Sequence, residues 1–98
     1  MSTNPDTFEQ FETTALAEGF DEVLLREWAP GQQLPMHSHP FAVKALVVRG
    51  ELALTCGGHT RRITAGHWFE LPREAPHAEH YGPQGCTFWA ARRHTVAA

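Results

Sequence analysis

Cysteine is scarce: Cys56 and Cys86 are the only two, and no CxxC spacing joins them. That excludes a disulfide framework, a redox motif and a zinc ribbon, and leaves two buried or idle thiols. Long apolar runs are missing as well. No segment approaches the roughly 20 residues that a membrane-spanning helix needs, and the start MSTNPDTFEQ has neither the basic residues nor the apolar stretch of a signal peptide. The expectation is a cytoplasmic protein without a membrane segment. Positive charge is also in short supply, with 8 Lys and Arg against 11 Asp and Glu and a formal charge of -3. This balance argues against nucleic acid as a partner, and the pairs Arg61, Arg62 and Arg92, Arg93 are too few to reverse it. With 98 residues, 42% of them hydrophobic, the chain has material for one core and one domain.

Histidine, by contrast, is plentiful: there are seven, and His37, His39, His77 and His80 fall in two tight groups. Around them the chain changes texture once. Thr7 and Gln10 have the spacing of a capping box, and Phe8, Phe11, Ala15 and Leu16 follow at helical period until Gly19, which predicts a short helix over residues 7–18. Residues 1–6 are expected to be disordered and 7–98 to form the single domain. From Asp21 onward, short apolar or alternating runs (EVLLREW, VKALVV, ELALTC, RRIT, HWFEL, HAEHY, CTFWAA) are separated by Pro or Gly in nearly every gap. The spacing is that of antiparallel hairpins, and no helical crossover for a parallel sheet is present.

Alternation along these runs assigns faces. His37 and His39 share one, and His77, Glu79 and Tyr81 share another, with His80 turned away. In VKALVV both faces are apolar apart from Lys44, as in a strand covered on both sides. Two imidazoles from an His-x-His pair lie about 6.5 to 7 Å apart at the backbone and point the same way. Both can lean onto one metal ion if His77 joins from a neighbouring strand. An exposed pair of surface histidines has the same spacing.

Gly31, His37, His39 and Gly50, followed by Gly66, Pro72 and His77, resemble the two sequence motifs of the cupin superfamily. The resemblance spans residues 31–81 and implies an all-β, antiparallel jelly-roll β-barrel with one short N-terminal helix. It implies that His37, His39 and His77 hold a divalent first-row metal (Fe, Ni, Zn or Mn), and that the protein pairs as a homodimer. The departures are specific. The carboxylate that cupins carry after the His-x-His pair would fall at Val43 or Lys44, and no Asp or Glu stands between His39 and Gly50. Glu74 replaces a glycine and Tyr81 an asparagine in the second motif.

Three neutral imidazoles leave the charge of an ion uncompensated, which suits a small anionic ligand. Cupin dioxygenases with three-histidine iron sites, acting on thiols and diketones, are the precedent the resemblance supplies for a metal-dependent oxidoreductase. A non-catalytic sensing domain and a metal-free barrel are the alternatives. Glu79 and Tyr81 are the polar candidates for catalysis; Glu79 reads as a metal ligand, a residue orienting one, or a solvent-facing rim carboxylate. Met36, Phe41, Val43, Phe69 and Phe88 are expected as pocket walls, with Trp89 facing away from Phe88. His59 and His94 read as solvated, His67 as a turn residue where many cupins place an aspartate, and Lys44 as reaching for solvent or a dimer partner.

Overall fold

A computed structural model describes residues 4–95 of the chain. The Thr7 hydroxyl accepts from the Gln10 backbone N–H at 3.1 Å and caps α1 (Phe8–Ala17). The Gln10 side chain does not complete the box at Thr7; it accepts from the Asp6 N–H at 2.7 Å. Of the segment expected to be disordered, residues 1–3 lie outside the described residues, and Asn4 is held in place. Its amide donates to the Gly66 carbonyl at 2.8 Å and its oxygen accepts from the Trp68 indole at 2.9 Å.

Six antiparallel strands follow: β1 (Glu22–Trp28), β2 (Gln33–His37), β3 (Ala42–Cys56), β4 (His59–Thr64), β5 (Trp68–Leu71) and β6 (His77–Arg93). Two pairs of runs that glycine seemed to separate are continuous strands. VKALVV and ELALTC are both in β3, and HAEHY and CTFWAA are both in β6. The ladder between these strands slips between Val47 and Arg49 and between Gly50 and Leu52, and such bulges bend a strand without ending it. At the bend Gly50 has φ 71, and a Cβ there would lie 2.1 Å from the Gly85 carbonyl oxygen. The two backbones pass too closely for any other residue.

Because β3 and β6 bend together, each contributes to two layers. Residues 42–47 of β3 pair with β5 and with residues 88–93 of β6, which pair in turn with β1. Residues 52–56 of β3 pair with β4 and with residues 77–81 of β6, whose other edge takes β2. This is an antiparallel jelly-roll arrangement. Backbone pairing does not close it into a ring, since the strand path runs β1-β6-β3-β4.

Ala45, Val47, Phe69 and Phe88 of the first layer meet Leu52, Leu54, Ile63 and Tyr81 of the second in one core. The alternate residues Leu46, Trp89 and Ala91 face outward, where Phe11 and Ala15 of α1 cover them. Phe11 is 3% exposed, with its ring 5.9 Å from those of both Trp68 and Trp89. The two-sided apolarity of VKALVV is therefore explained by a helix on one side and a core on the other. Lys44, on the helix side, pairs with Glu18 at 3.2 Å and lies over the Trp68 ring. No helix among the described residues is long and apolar enough to cross a membrane.

Candidate metal centre

Alternation along the first half of β6 buries His77 (2% exposed), Glu79 (8%) and Tyr81 (1%), and leaves His80 exposed. β2 runs along that edge with His37 opposite His77, and the two rings lie 4.3 Å apart. β2 ends at His37, so His39 stands in the loop beyond it and not beside His37 on an extended strand. The turn before β6 holds this loop: the Glu74 N–H donates to the His39 carbonyl at 2.8 Å, and the Arg73 guanidinium donates to the Pro40 carbonyl. The His39 ring comes to 4.8 Å from His37 and 5.1 Å from His77. One nitrogen from each of the three rings falls within 4.8 Å of the other two.

Hydrogen bonds decide which nitrogens face inward. His37 Nδ1 lies 2.7 Å from the Pro35 carbonyl and His77 Nδ1 2.9 Å from the Ala75 carbonyl. A carbonyl only accepts, so both Nδ1 atoms carry a proton, and it is Nε2 of each ring that is turned to the cluster. Burial, followed by the neighbouring His37 and His77, holds the pKa of His39 below the usual histidine value, which keeps it neutral. Its ring stacks on Phe41 at 4.7 Å, and the Arg92 guanidinium lies over the same Phe41 ring at 4.6 Å from its centroid. Converging imidazoles, two of them with the second nitrogen anchored to a backbone carbonyl, are what a divalent transition metal requires. The residues present fit such an ion.

Glu79 departs from the rim position that the sequence made plausible. Its carboxylate is buried, with Oε2 3.6 Å from His37 Nε2 and 3.8 Å from His77 Nε2, while Oε1 accepts from the Tyr81 hydroxyl at 2.6 Å. Burial and the Glu79 charge raise the pKa of Tyr81 well above the ordinary phenol value. Tyr81 is thus a fixed donor at neutral pH and not a base.

Phe41, Val43, Phe69 and Phe88 line a cavity of about 90 Å³ beside the three histidines. Met36, expected in the same wall, is 57% exposed, because it neighbours His37 on the strand and so faces the other way. Trp89 lies on the helix side. Arg26, Trp28 and Arg92 line the cavity too, and sequence reasoning passed over them. Their signal was the alternation in EVLLREW, where Arg26 and Trp28 share a face. Register completes it, since Arg26 pairs with the inward Phe88. Arg26 lies 4.9 Å from the Trp28 ring, which stacks on Tyr81 at 4.9 Å.

The remaining histidines stay away from the cluster. His59 is exposed at the start of β4, His67 sits 3.1 Å from the Thr64 hydroxyl, and His94 contacts Glu22 at 3.0 Å. Both cysteines are free, and burial pushes the Cys86 thiol up to about 11, which leaves it unreactive.

A family model described as the cupin domain matches residues 24–87 of the chain. Among solved structures the chain is similar to the cupin domain of Schizosaccharomyces pombe Cnp3, at 15% identity and TM-score 0.67, covering 72% of this chain and 53% of that one. It is similar to an RmlC-like cupin from Shewanella frigidimarina at 24% identity and TM-score 0.64, covering 76% and 68%. It is also similar to a predicted oxalate decarboxylase from Thermotoga maritima at 17% identity and TM-score 0.65, covering 83% and 72%. The chain spans about half the length of the first of these, and at such identities the likeness is one of fold. No curated protein matches the chain.

Proposed function

The chain belongs to the cupin domain family, and from that premise we propose that it binds one divalent first-row metal through His37, His39 and His77 and presents it to a small anionic ligand. The observation that carries this reading is the shared orientation of His37 and His77, each tied through Nδ1 to a carbonyl with Nε2 turned to the cluster. When bound, the ion supplies a concentrated positive charge that polarises ligand oxygen atoms.

The cavity itself favours an anion. A chain of net charge -3 sets two guanidinium groups, Arg26 and Arg92, in the wall of this one cavity. Arg92 leans on Glu22 at 3.4 Å, whereas Arg26 has no ion-pair partner among the described residues. The buried Trp28 indole N–H likewise has no acceptor among them. A buried donor of this kind calls for an acceptor oxygen. Size narrows the choice: a cavity of roughly 150 Å³ holds benzene, so about 90 Å³ suits a compact carboxylate with a thiol, keto or hydroxy group.

The catalytic form of this reading is a dioxygenase-like oxidation of that ligand, and the other form is a sensing domain that binds without turnover. Iron-loaded protein is incubated with small carboxylate-bearing thiols, diketones and hydroxy acids while oxygen consumption and thermal shift are followed. Oxygen uptake selects the enzyme, and a metal-dependent shift without uptake selects the sensor. Equal shifts with and without metal would overturn both. The triple variant His37→Ala, His39→Ala, His77→Ala is expected to lose nickel binding in calorimetry. Pairing into a homodimer belongs to the same reading and is measured by sedimentation velocity.

A further inference from the structure

We infer that the carboxylate missing from β3 is supplied from β6: Glu79 is the fourth protein ligand of the metal held by His37, His39 and His77. The inference rests on the metal-binding reading above and goes beyond it in the ligand set, the charge of the site and the number of positions left to the ligand.

Three observations bear on it. First, no Asp or Glu stands between His39 and Gly50, and Val43, which lines the cavity from β3, is apolar. Second, Glu79 Oε2 lies 3.6 Å and 3.8 Å from the Nε2 atoms of His37 and His77. Two donors bound tetrahedrally at about 2.0 to 2.2 Å from one zinc-like ion lie roughly 3.4 Å apart, so Oε2 already stands within a few tenths of an ångström of ligand spacing from each Nε2. Third, the carboxylate is buried and oriented. Tyr81 donates to Oε1 at 2.6 Å, which leaves Oε2 as the oxygen turned to the histidines. Among the described residues no guanidinium or ammonium pairs with Glu79. The partners of its charge among the described residues are the His37 and His77 imidazoles themselves, and an ion bound between them would add compensating positive charge to a buried carboxylate.

A solvent-facing Glu79 predicts none of this geometry. The ligand reading also gives Tyr81 a positioning role: its hydroxyl fixes the carboxylate as a metal ligand's outer partner commonly does.

The test uses the full chain loaded with cobalt(II), read by its visible absorption spectrum and by calorimetric titration. The parent protein and Glu79→Gln are compared. Glu79→Gln should lose more cobalt affinity than the roughly 10- to 100-fold that removing a ligand's outer partner costs and show a changed spectrum, because the donor set itself has changed. Tyr81→Phe should weaken binding less and keep the parent spectrum. An unchanged spectrum in Glu79→Gln overturns direct ligation while leaving the three-histidine site standing. A parent protein that binds no cobalt overturns both. If Glu79→Gln does not fold, the parent alone decides: zinc addition should shift one carboxylate band in the infrared spectrum, and no shift overturns the assignment.

Discussion

The two layers of the jelly roll differ in what covers them. The layer containing β1, β5 and the outer halves of β3 and β6 is packed on both faces, against the core on one side and α1 on the other. The layer containing β2, β4 and residues 52–56 and 77–81 has a core face only, and its outer face carries exposed His80, Thr60 and Arg62. His37, His77 and Glu79 come from the layer covered on one side. The layer covered on two sides contributes the apolar walls Val43, Phe69 and Phe88 and the cations Arg26 and Arg92. His77 and Glu79 stand on the core face of their layer, across the cavity from the braced wall. The helix therefore braces a wall, and the chemistry stands opposite it.

That division is open to a direct break. Phe11 is buried on the outer face of the braced layer, and Phe11→Ala should cost about 3 kcal/mol, a fall in Tm of about 10 to 20 °C for a domain of this size. The metal affinity of the folded protein should stay within about twofold of the parent, since Phe11 belongs to a cluster separate from the cavity. A fall in nickel affinity that follows the fall in Tm would show that the two layers do not act separately.

The turn before β6 sharpens the comparison on the other side. Glu74 has φ 64 and is the one non-glycine residue among those described with positive φ. It fills the place that the cupin pattern gives to glycine, and its N–H holds the His39 carbonyl at 2.8 Å. A left-handed conformation costs an ordinary residue about 1 to 2 kcal/mol, and glycine returns roughly 0.5 to 1 kcal/mol of this through the greater freedom of the unfolded chain. Glu74→Gly should therefore stabilise the protein by about 0.5 kcal/mol, visible as a small rise in Tm. Because the backbone hydrogen bond to His39 survives, cobalt binding should not change; weaker binding would mean that the Glu74 side chain itself supports the loop.

The features legible in the sequence are those that local pattern decides. Thr7 and the period of Phe8, Phe11 and Ala15 located the helix. The alternation of His77, Glu79 and Tyr81 against His80 assigned the site face, and VKALVV announced a strand covered twice. What stayed hidden depends on register and bending. Gly50 and Gly82 read as turns because a glycine at a bulge and a glycine at a hairpin look alike in one dimension. Glu79 looked like a rim residue because its depth comes from Leu54 on one side and Leu34 on the other, both set by pairing. Arg26 drew no notice because its inward face depends on its partner Phe88. Met36 is the contrary case, since its outward direction followed from its place next to His37.

The smallest effect expected lies at the open edge of the braced layer, where the start of β1 meets the end of β6. Asp21 accepts from the backbone N–H of His94 at 2.6 Å and of Thr95 at 2.9 Å, and from the Thr95 hydroxyl at 3.0 Å. The backbone bonds to Thr95 and His94, then the Thr95 hydroxyl, hold its pKa below the ordinary 3.8. A carboxyl whose folded pKa is depressed stabilises the fold above its unfolded value, and that contribution disappears as the pH falls through the folded one. Asp21→Asn keeps an acceptor oxygen but cannot ionise, so it lacks the pH-dependent part alone. Glu22, lowered chiefly by its hydrogen bond to His94, titrates in both proteins and cancels in the comparison. The parent should melt slightly above Asp21→Asn at pH 7, with the gap narrowing below about pH 4 and closing once Asp21 is protonated in both states. Because Asp21 is on the surface, added salt should shrink the gap at pH 7 as well. Scanning calorimetry across pH 2.5 to 7 measures it, and a gap that is constant over that range would show that the clasp acts through shape and not through charge.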